Sequence, residues 1–355
     1  MYSEKDFISP DYNLHKIEEA IKIKAEAPSN IALVKYWGKY PGQIPMNPSV
    51  SFTLTESKTE TQAEIQKKTQ KKEDISFDFY FEGNSKPDFE PKIRQFLNNI
   101  LPYAPFIKDF HFRCESRNTF PHSSGIASSA SAFAALAKII IALEKKISAE
   151  EKEEDFWKKK TSFLARIGSG SASRSIERPI ILWGEHPQIK ESSNLYASPV
   201  QVEIHPVFQD YRDSIVLVEK GQKKVSSSAG HQLMNAHPYK DMRQKQAFEN
   251  TLKIIDILQS GNQDEFIRLV ESEALTLHAM MMTSNPNYLL MQPETLKIIH
   301  QIRNFRKETG SKLCFTLDAG ANVHVLYPKT EQKAVKYFLN SITDKEILDD
   351  YVKMN

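Results

Sequence analysis

The sequence predicts an α+β protein of two domains, and three observations support that prediction. The chain has 355 residues, which is too long for one small module and suits one large or two medium domains. Its first part combines β-type runs with one long segment rich in Ala, Ile and Leu. Its second part reads as helices followed by two strands and a last helix, unlike a parallel α/β array. The loop-rich composition of residues 187–206 then divides the chain into domains at residues 1–190 and 191–355.

The first domain is predicted to contain two early strands and a buried helix. The first β-type run, residues 21–27, is expected to end at Pro28, because proline is excluded from central strands. A loop rich in Gly and Pro, KYWGKYPGQIPMNPS, leads to a second strand at residues 50–54. Residues 127–143 lack Pro and Gly and predict a buried helix, and the charged residues 145–160 predict an exposed helix or connection.

In the second domain, apolar positions at helical spacing predict two amphipathic helices. The two apolar faces comprise Phe248, Leu252 and Ile255, and then Phe266, Leu269, Val270, Ala274 and Leu277. A third helix is expected to begin at Pro293 and to end at Gly310, since proline favours the first helical turn and glycine the position after the last. Strands at residues 313–317 and 323–327, joined by the turn DAGAN, then precede a final helix.

The composition excludes several classes of protein. Lys and Arg number 47 against 45 Asp and Glu, and a net charge of +2 argues against a dedicated nucleic-acid-binding protein. No stretch approaches the roughly 20 apolar residues of a membrane-spanning helix. Residues 1–20 form a polar leader without the apolar core of a secretory signal. The two cysteines, Cys114 and Cys314, exclude a disulfide framework. We therefore expect a soluble cytoplasmic enzyme without nucleic-acid or membrane partners.

The segment PHSSGIASSA, residues 121–130, is the strongest local motif. Its small residues let backbone N–H groups approach an anion, and the predicted helix that follows adds its positive N-terminal dipole. Ser128 and Ser129 add hydroxyl groups, so a nucleotide triphosphate is one possible ligand. Taken alone, the segment fits an ordinary serine-capped helix equally well, and it is not a Walker A loop.

Two further segments are rich in serine. RIGSGSASRS, residues 166–175, is suited to a diphosphate, because hydroxyls and amides can surround it while Arg174 pairs with it bidentately. A flexible linker is the alternative, although linkers rarely carry flanking arginines beside helices. KKVSSSAG, residues 223–230, offers the same groups, but taken singly it is more typical of a surface turn.

A carboxylate completes the set of candidate groups. In TLDAGAN, Asp318 closes an apolar strand and can act as a general base, although the motif taken by itself is more typical of an Asx-turn that caps a hairpin. Three anion-binding segments and one acid, without a metal-ligand cluster or a Cys/His pair, together predict phosphoryl transfer from a nucleotide to a phosphorylated small molecule.

These segments, together with APSNIALVKYWGKY and LTLHAMM, resemble in order and spacing the motifs of the diphosphomevalonate decarboxylases, a family of the GHMP kinase superfamily. The resemblance implies a GHMP kinase fold, with an N-terminal α/β domain like domain 2 of ribosomal protein S5 and a ferredoxin-like α+β C-terminal domain. It implies ATP-dependent decarboxylation of mevalonate 5-diphosphate to isopentenyl diphosphate in the mevalonate pathway, with ATP and Mg²⁺ as cofactors, and a homodimer.

The resemblance also implies a role for each matched residue. Asp318 and Lys35 match the catalytic pair, in which Asp318 orients or deprotonates the 3-hydroxyl and Lys35 keeps Asp318 ionised. The positions that match the substrate-binding residues are Tyr36, Lys39, Ser169, Gly170, Ser171, Arg174 and Ser227. The ATP loop is matched by Gly125, Ala127, Ser128 and Ser129, with Mg²⁺ bound by the ATP phosphates and Ser128 as its candidate protein ligand.

Other functions remain as alternatives. Relatives in the superfamily decarboxylate mevalonate 5-phosphate or phosphorylate the 3-hydroxyl without decarboxylation. From another class, an S5-like domain can bind nucleic acid without catalysis, but that function needs a basic face with stacking aromatics, against which the near-neutral net charge argues.

Overall fold

The computed structural model describes residues 1–9, 11–69, 74–121, 126–221 and 227–354, apart from the side chains of Ser227 and Ser228. The elements of the first part are β1 (Ile21–Val34), β2 (Lys39–Tyr40), β3 (Ile44–Pro45), β4 (Ser49–Lys67), β5 (Ser76–Phe81), β6 (Asn84–Ser85), α1 (Glu90–Ile100), β7 (Phe110–Asn118), α2 (Ser128–Ile147), α3 (Glu154–Gly168), β8 (Ile180–Trp183) and β9 (Ser198–Pro199). Those of the second part are β10 (Tyr211–Val216), α4 (Ser227–Gln232), α5 (Lys240–Ser260), α6 (Gln263–Met282), α7 (Pro293–Thr309), β11 (Cys314–Thr316), β12 (Val323–Pro328), α8 (Gln332–Ile342) and β13 (Ile347–Tyr351).

The first sheet is built around the long strand β4. Its order is β6-β5-β7-β4-β8-β9, and β1 pairs with β4 on the other side. Helix α2 packs across β1 and β4, and α3 packs against α2, so apolar side chains of these helices and of the sheet share one core. The expected buried helix at residues 127–143 is confirmed, because α2 covers all but its first residue. Strand β9 extends this sheet to Pro199, past the boundary predicted at residue 190, and the division into domains stays a prediction.

The expectation that the first strand ends at Pro28 is wrong. Strand β1 runs through Pro28 to Val34, with a register shift between Pro28 and Asn30. In the pairing that the structure describes, β1 lies at the edge of the sheet with β4 as its neighbour. A proline is tolerated at a bulge of an edge strand because no ladder hydrogen bond is lost there. This continuation matters for function, since it carries the chain to Lys35.

The second part is a ferredoxin-like α+β domain. Strands β10 to β13 form a sheet in the order β11-β12-β10-β13, and the chain order is strand, helices, two strands, helix and strand, which is the split βαβ arrangement. The predicted strands at residues 313–317 and 323–327 are confirmed as β11 and β12. Helix α7 begins at Pro293 and ends before Gly310, which has the left-handed φ of 74°. Strands β10 and β13 were not predicted, because neither is flanked by clear turn residues.

Two of three local expectations need correction. The buried face of α5 is formed by Ala247, Thr251, Ile254 and Leu258 rather than by Phe248, Leu252 and Ile255, which are half-buried. The apolar face predicted for α6 is correct throughout. Residues 145–160 are not simply exposed, because Phe156, Trp157 and Lys160 are buried.

The polar leader packs on the first domain. Phe7 is fully buried, and its ring lies 4.8 Å from that of Phe163 in α3. Ile17 joins the same core. The few apolar residues of this leader show no helical or strand periodicity, so the sequence did not indicate that it would pack on the domain. Those apolar residues are the ones that hold it against the core.

The two parts of the chain are joined by buried polar contacts as well as by a shared core. The carboxylate of Asp350 in β13 accepts hydrogen bonds from the backbone N–H groups of Thr55 at 2.8 Å, Glu56 at 3.0 Å and Ser57 at 2.7 Å. Helices α5 and α6 both contact β1. None of the helices in the described ranges is long and apolar enough to cross a bilayer.

Candidate active site

Lys35 and Asp318 meet where the two parts of the chain join. Lys35 follows the last residue of β1, and Asp318 follows β11, so each lies at the end of a strand. Lys35 Nζ lies 3.1 Å from Asp318 Oδ1. The lysine side chain is 2% exposed and the aspartate 29%, so the carboxylate faces the opening of the site while its partner cation lies beneath it. Burial lowers the pKa of Lys35, and the carboxylates of Asp318 and Glu273 oppose that shift.

The backbone of Lys35 is held by a buried ion pair. Its N–H donates to Glu273 Oε2 at 2.9 Å, and its carbonyl oxygen accepts from Arg243 Nη2 at 2.9 Å and from Asn47 Nδ2 at 3.0 Å. Arg243 and Glu273 bind each other through two hydrogen bonds of 2.7 and 3.0 Å. Helices α5 and α6 of the second part therefore fix a residue of the first part.

His278 fixes the backbone of Asp318 in a similar way. Its Nε2 lies 3.1 Å from the Asp318 carbonyl oxygen. Because a carbonyl only accepts, Nε2 carries the proton. Burial lowers the pKa of His278 to about 4, so the ring is neutral at pH 7. His278 is the histidine of the LTLHAMM segment, and the hydrogen bond makes it a support for the aspartate.

Arg174 lies beside this pair in a buried setting. Its Nη1 donates to Ser49 Oγ at 2.6 Å, its Nε donates to Asn30 Oδ1 at 3.3 Å, and its guanidinium lies 5.9 Å from the centre of the Trp183 ring. Burial lowers its pKa to about 10, and the charge of Asp318 acts in the opposite direction. The arginine remains cationic at pH 7, and a buried cation of this kind favours an anionic ligand.

Tyr36 has a buried hydroxyl beside the serine segment. Its Oη is buried without a hydrogen-bond partner among the described residues. The ring packs 4.7 Å from Trp183 and 4.2 Å from His231. A Cβ atom at Gly170 would lie only 2.7 Å from Tyr36 Oη, so glycine is required there for the two segments to approach. This hydroxyl is one of several buried polar atoms without a partner in the described structure, and it is the one that lies between Gly170 and Trp183 beside Arg174.

The serine segment around Arg174 folds into a 3₁₀ helix, Gly170–Ser175, directly after α3. Ser169 Oγ and Ser171 Oγ lie 3.4 Å apart, and the Ser171 carbonyl oxygen accepts from Asn30 Nδ2 at 3.2 Å. Both hydroxyls are half-buried. The structure thus brings this segment to the same strand, β1, that ends at Lys35.

Lys39 is placed less directly. Its Nζ donates to Gln43 Oε1 at 2.8 Å within the β2–β3 hairpin, and burial lowers its pKa. A ligand at the site would have to exchange this hydrogen bond for its own. Lys39 thus differs from the other described candidates for substrate binding, because its side chain is bound to a residue of its own hairpin.

The segment before α2 is partly described. Gly125 lies outside the described residues, whereas Ala127 precedes α2 in the left-handed region with φ 35° and ψ 40°. Ser128 is half-buried and Ser129 is exposed. Ser29 Oγ of β1 donates to the Ile126 carbonyl oxygen at 2.8 Å, so β1 also positions this segment. Within the described ranges no cluster of three or more His, Cys, Asp or Glu side chains could hold a metal ion.

Ser227 begins α4, and its side chain lies outside the description. The following turn of α4 packs on the loop that carries Lys35. Gly38 N donates to His231 Nδ1 at 3.0 Å, and the His231 ring lies 5.0 Å from that of Trp37. Burial lowers the pKa of His231 to about 3, so it is neutral and can accept this hydrogen bond.

Several residues of the site were not found from the sequence. Asn30 and Ser49 hold Arg174, and Arg243 and Glu273 hold Lys35. A signal was present for Glu273, because it lies three residues after Val270 and four before Leu277, on the predicted buried face of its helix. A charged residue on an apolar face is expected to have a buried partner, but the sequence does not identify that partner.

The chain was compared with known proteins. Residues 27–194 match the family model of the diphosphomevalonate decarboxylase-like N-terminal domain, and residues 214–355 match that of the mevalonate 5-diphosphate decarboxylase C-terminal domain. A diphosphomevalonate decarboxylase of Ganoderma lucidum is 30% identical over 344 residues, which cover 88% of this chain and 81% of the relative.

Solved structures agree with the sequence relatives. The crystal structure of mevalonate diphosphate decarboxylase from Staphylococcus aureus is 30% identical, with a TM-score of 0.81 and coverage of 96% of this chain and 98% of that chain. A structure of MDDEF in complex with MVAPP, AMPPCP and magnesium is 26% identical, with a TM-score of 0.79 and coverage of 94% and 97%.

Proposed function

Because the chain belongs to the diphosphomevalonate decarboxylase family, we propose that Lys35 and Asp318 form its catalytic pair. The enzyme catalyses the ATP-dependent decarboxylation of mevalonate 5-diphosphate to isopentenyl diphosphate, ADP, phosphate and CO₂. The observation that supports the assignment of the pair is the 3.1 Å contact between Lys35 Nζ and Asp318 Oδ1, in which the carboxylate keeps an open side.

Asp318 accepts the proton of the tertiary 3-hydroxyl, or orients that hydroxyl, so that its oxygen can attack phosphorus. ATP supplies the transferred phosphoryl group, and Mg²⁺ screens the phosphate charges. The C3–O bond of the phosphorylated substrate then breaks, its electron pair leaves with phosphate, and the proton taken up by Asp318 passes to the departing phosphate, so that Asp318 is again ionised. The carboxylate of Asp318 stabilises the positive charge at C3. The C1–C2 bond breaks, its electrons form the C2=C3 double bond, and CO₂ departs.

Lys35 keeps Asp318 ionised and offsets the negative charge of the substrate carboxylate. Its cation can do so because the pair is largely shielded from water, where an ionic interaction is stronger than in bulk solvent. Its burial also reduces the screening of the ammonium charge by ions in the solvent.

The substrate diphosphate is bound by cationic and hydroxyl groups. Arg174 supplies a planar guanidinium, and the buried Tyr36 Oη supplies a donor that lacks another partner among the described residues. Ser169, Gly170 and Ser171 contribute hydroxyl and backbone groups. In addition, Lys39 and Ser227 complete the set that the family motif implies.

The nucleotide binds at the N-terminus of α2. Ala127, Ser128 and Ser129 offer N–H groups at the start of a helix of 20 residues, and Gly125 belongs to the same sequence motif. The hydroxyl of Ser128 suits Mg²⁺, which prefers oxygen ligands and retains waters beside nucleotide phosphates. A related structure holds AMPPCP and magnesium, which supports both cofactors here.

The enzyme is further proposed to be a cytoplasmic homodimer of isoprenoid biosynthesis, a branch of lipid metabolism. Both cysteines are buried free thiols, which is typical of a reducing compartment. The dimer follows from the family motif, and sedimentation equilibrium of the purified chain would test it.

The decisive experiment follows ATP-dependent release of CO₂ from carboxyl-labelled mevalonate 5-diphosphate. The monophosphate and unphosphorylated mevalonate are assayed beside it, and ADP is measured in each reaction. Release from the diphosphate, with equal ADP, is expected. ADP without CO₂ would indicate a 3-kinase, and preferential release from the monophosphate would indicate a phosphomevalonate decarboxylase.

A further inference from the structure

The ion pair of Arg243 and Glu273 is unusually buried for two charged residues. Their side chains are 1% and 0% exposed. Glu273 accepts hydrogen bonds from Arg243, from the Lys35 N–H, and from Asn250 Nδ2 at 2.6 Å. Burying two charges is costly, and such a pair stabilises a fold no better than apolar residues of the same volume would. Its presence beside Lys35 therefore calls for a functional reason.

The pair contacts both backbone polar atoms of Lys35. Glu273 accepts from its N–H and Arg243 donates to its carbonyl oxygen, each at 2.9 Å. Lys35 follows the end of β1, where the strand ladder no longer fixes the backbone. These two charge-assisted hydrogen bonds replace the ladder at the residue whose side chain reaches Asp318.

We propose that Arg243 and Glu273 are a positioning pair, which fixes Lys35 against Asp318 and sets the electric field at the lysine ammonium. The inference rests on the proposed catalytic role of Lys35. Neither Arg243 nor Glu273 contacts Asp318 in the described structure, so both act through Lys35.

The field at Lys35 has several sources. The charged and titratable groups that face it are Asp318 after β11, Glu273 and His278 of α6, Arg243 of α5, Arg174 of the serine segment and Asp213 of β10. His278 is neutral, and Asp213 is bound to His324 at 2.7 Å. Burial lowers the pKa of Lys35, and the carboxylates of Asp318 and, after it, Glu273 raise it.

The test is the pH profile of kcat for CO₂ release, measured on the full chain. Lys35 must be protonated, so activity falls as pH rises through its pKa and the alkaline limb reports that pKa. Glu273→Gln removes one of the charges that raise this pKa, and the limb is expected to move about one unit to lower pH. Arg243→Gln removes a positive charge and is expected to move the limb to higher pH. In both variants kcat falls at least tenfold while KM changes less.

Glu271→Gln is the matched control. Glu271 lies on the same helix, is 8% exposed and pairs with Arg306 of α7 without contacting Lys35. Its substitution also breaks a buried ion pair, but the alkaline limb is expected to stay in place. A merely structural role for Glu273 predicts that the two glutamate variants behave alike, and that result would overturn the proposal.

Two further results keep the outcome clear. If a single variant does not fold, the double variant Glu273→Gln/Arg243→Gln leaves no unpaired buried charge and is measured instead. The alkaline limb of its pH profile is expected to lie near that of the wild type, and its kcat is expected to be lower. A wild-type kcat in this double variant would overturn the proposal. If wild-type protein releases no CO₂, the proposed function itself has failed, which is distinguishable because that measurement involves no variant.

Discussion

Lys35 and Lys160 are both buried and both form ion pairs with carboxylates, but the two pairs differ in the exposure of the carboxylate. We call Lys35–Asp318 the open pair, because its carboxylate is partly exposed, and Lys160–Glu144 the closed pair. Lys160 of α3 binds Glu144 of α2, and the side chains are 0% and 2% exposed. Lys35 is equally buried, at 2%, but Asp318 is 29% exposed. Ser9 Oγ accepts from Lys160 at 3.1 Å and lies 2.7 Å from Glu144 Oε1, so a residue of the leader contacts both members of the closed pair.

The difference shows that burial of a charge does not by itself mark a catalytic group. Burial lowers the pKa of both lysines. What separates them is the partner: Glu144 is enclosed between two helices and the leader, whereas Asp318 lies after a short strand at the opening of the site. The open pair should therefore govern turnover, and the closed pair should govern stability.

The largest effect is expected at the open pair. Asp318→Asn keeps the volume of the side chain but removes the proton acceptor, so kcat should fall by about 10²–10⁴. ATP binding, measured by equilibrium titration of the nucleotide, should change little. Asp264→Asn, which affects an exposed pair with Lys312, is the control and should retain wild-type activity. Turnover of Asp318→Asn within about tenfold of wild type would contradict the assignment.

The closed pair should show the opposite behaviour. Lys160→Met leaves the Glu144 carboxylate buried without its cation and should lower the free energy of unfolding by about 3–5 kcal/mol. Chemical denaturation measures this change, and kcat below the unfolding transition should match that of the wild type. The double variant Lys160→Met/Glu144→Leu removes both charges and should recover most of the stability. A loss of kcat in the folded single variant would mean that the two pairs are not functionally distinct.

Much of this comparison could be predicted from the sequence, but not all of it. Helix α2, the buried face of α6 and the bounds of α7 follow from periodicity and from Pro293 and Gly310. Lys35 and Asp318 were identified because each lies in a segment with a family motif. By contrast, the path of β1 through Pro28 depends on its position at the sheet edge, which is a property of the whole fold.

The residues that hold Lys35 and Arg174 could not be predicted from the sequence for a related reason. Asn30 holds Arg174 across 144 residues of sequence, and Glu273 holds Lys35 across 238. A buried polar residue signals that a partner exists, but local patterns cannot say which distant segment supplies it. The side-chain contacts that separate the open pair from the closed one are of this kind.

The smallest of these effects concerns substrate affinity at the open pair. Arg174→Lys keeps a positive charge but loses the planar fork that binds two phosphate oxygens, so the KM for mevalonate 5-diphosphate should rise about tenfold with a smaller change in kcat. Arg166→Lys is the matched control, because Arg166 is also buried but donates to the carbonyl oxygens of Leu195, at 2.8 Å, and Gly42. Burial lowers the pKa of both arginines to about 10. The control should lower the melting temperature and leave KM near the wild-type value. An unchanged KM in Arg174→Lys would place the diphosphate away from Arg174, and the opening above Asp318 would then have to be occupied by another part of the substrate.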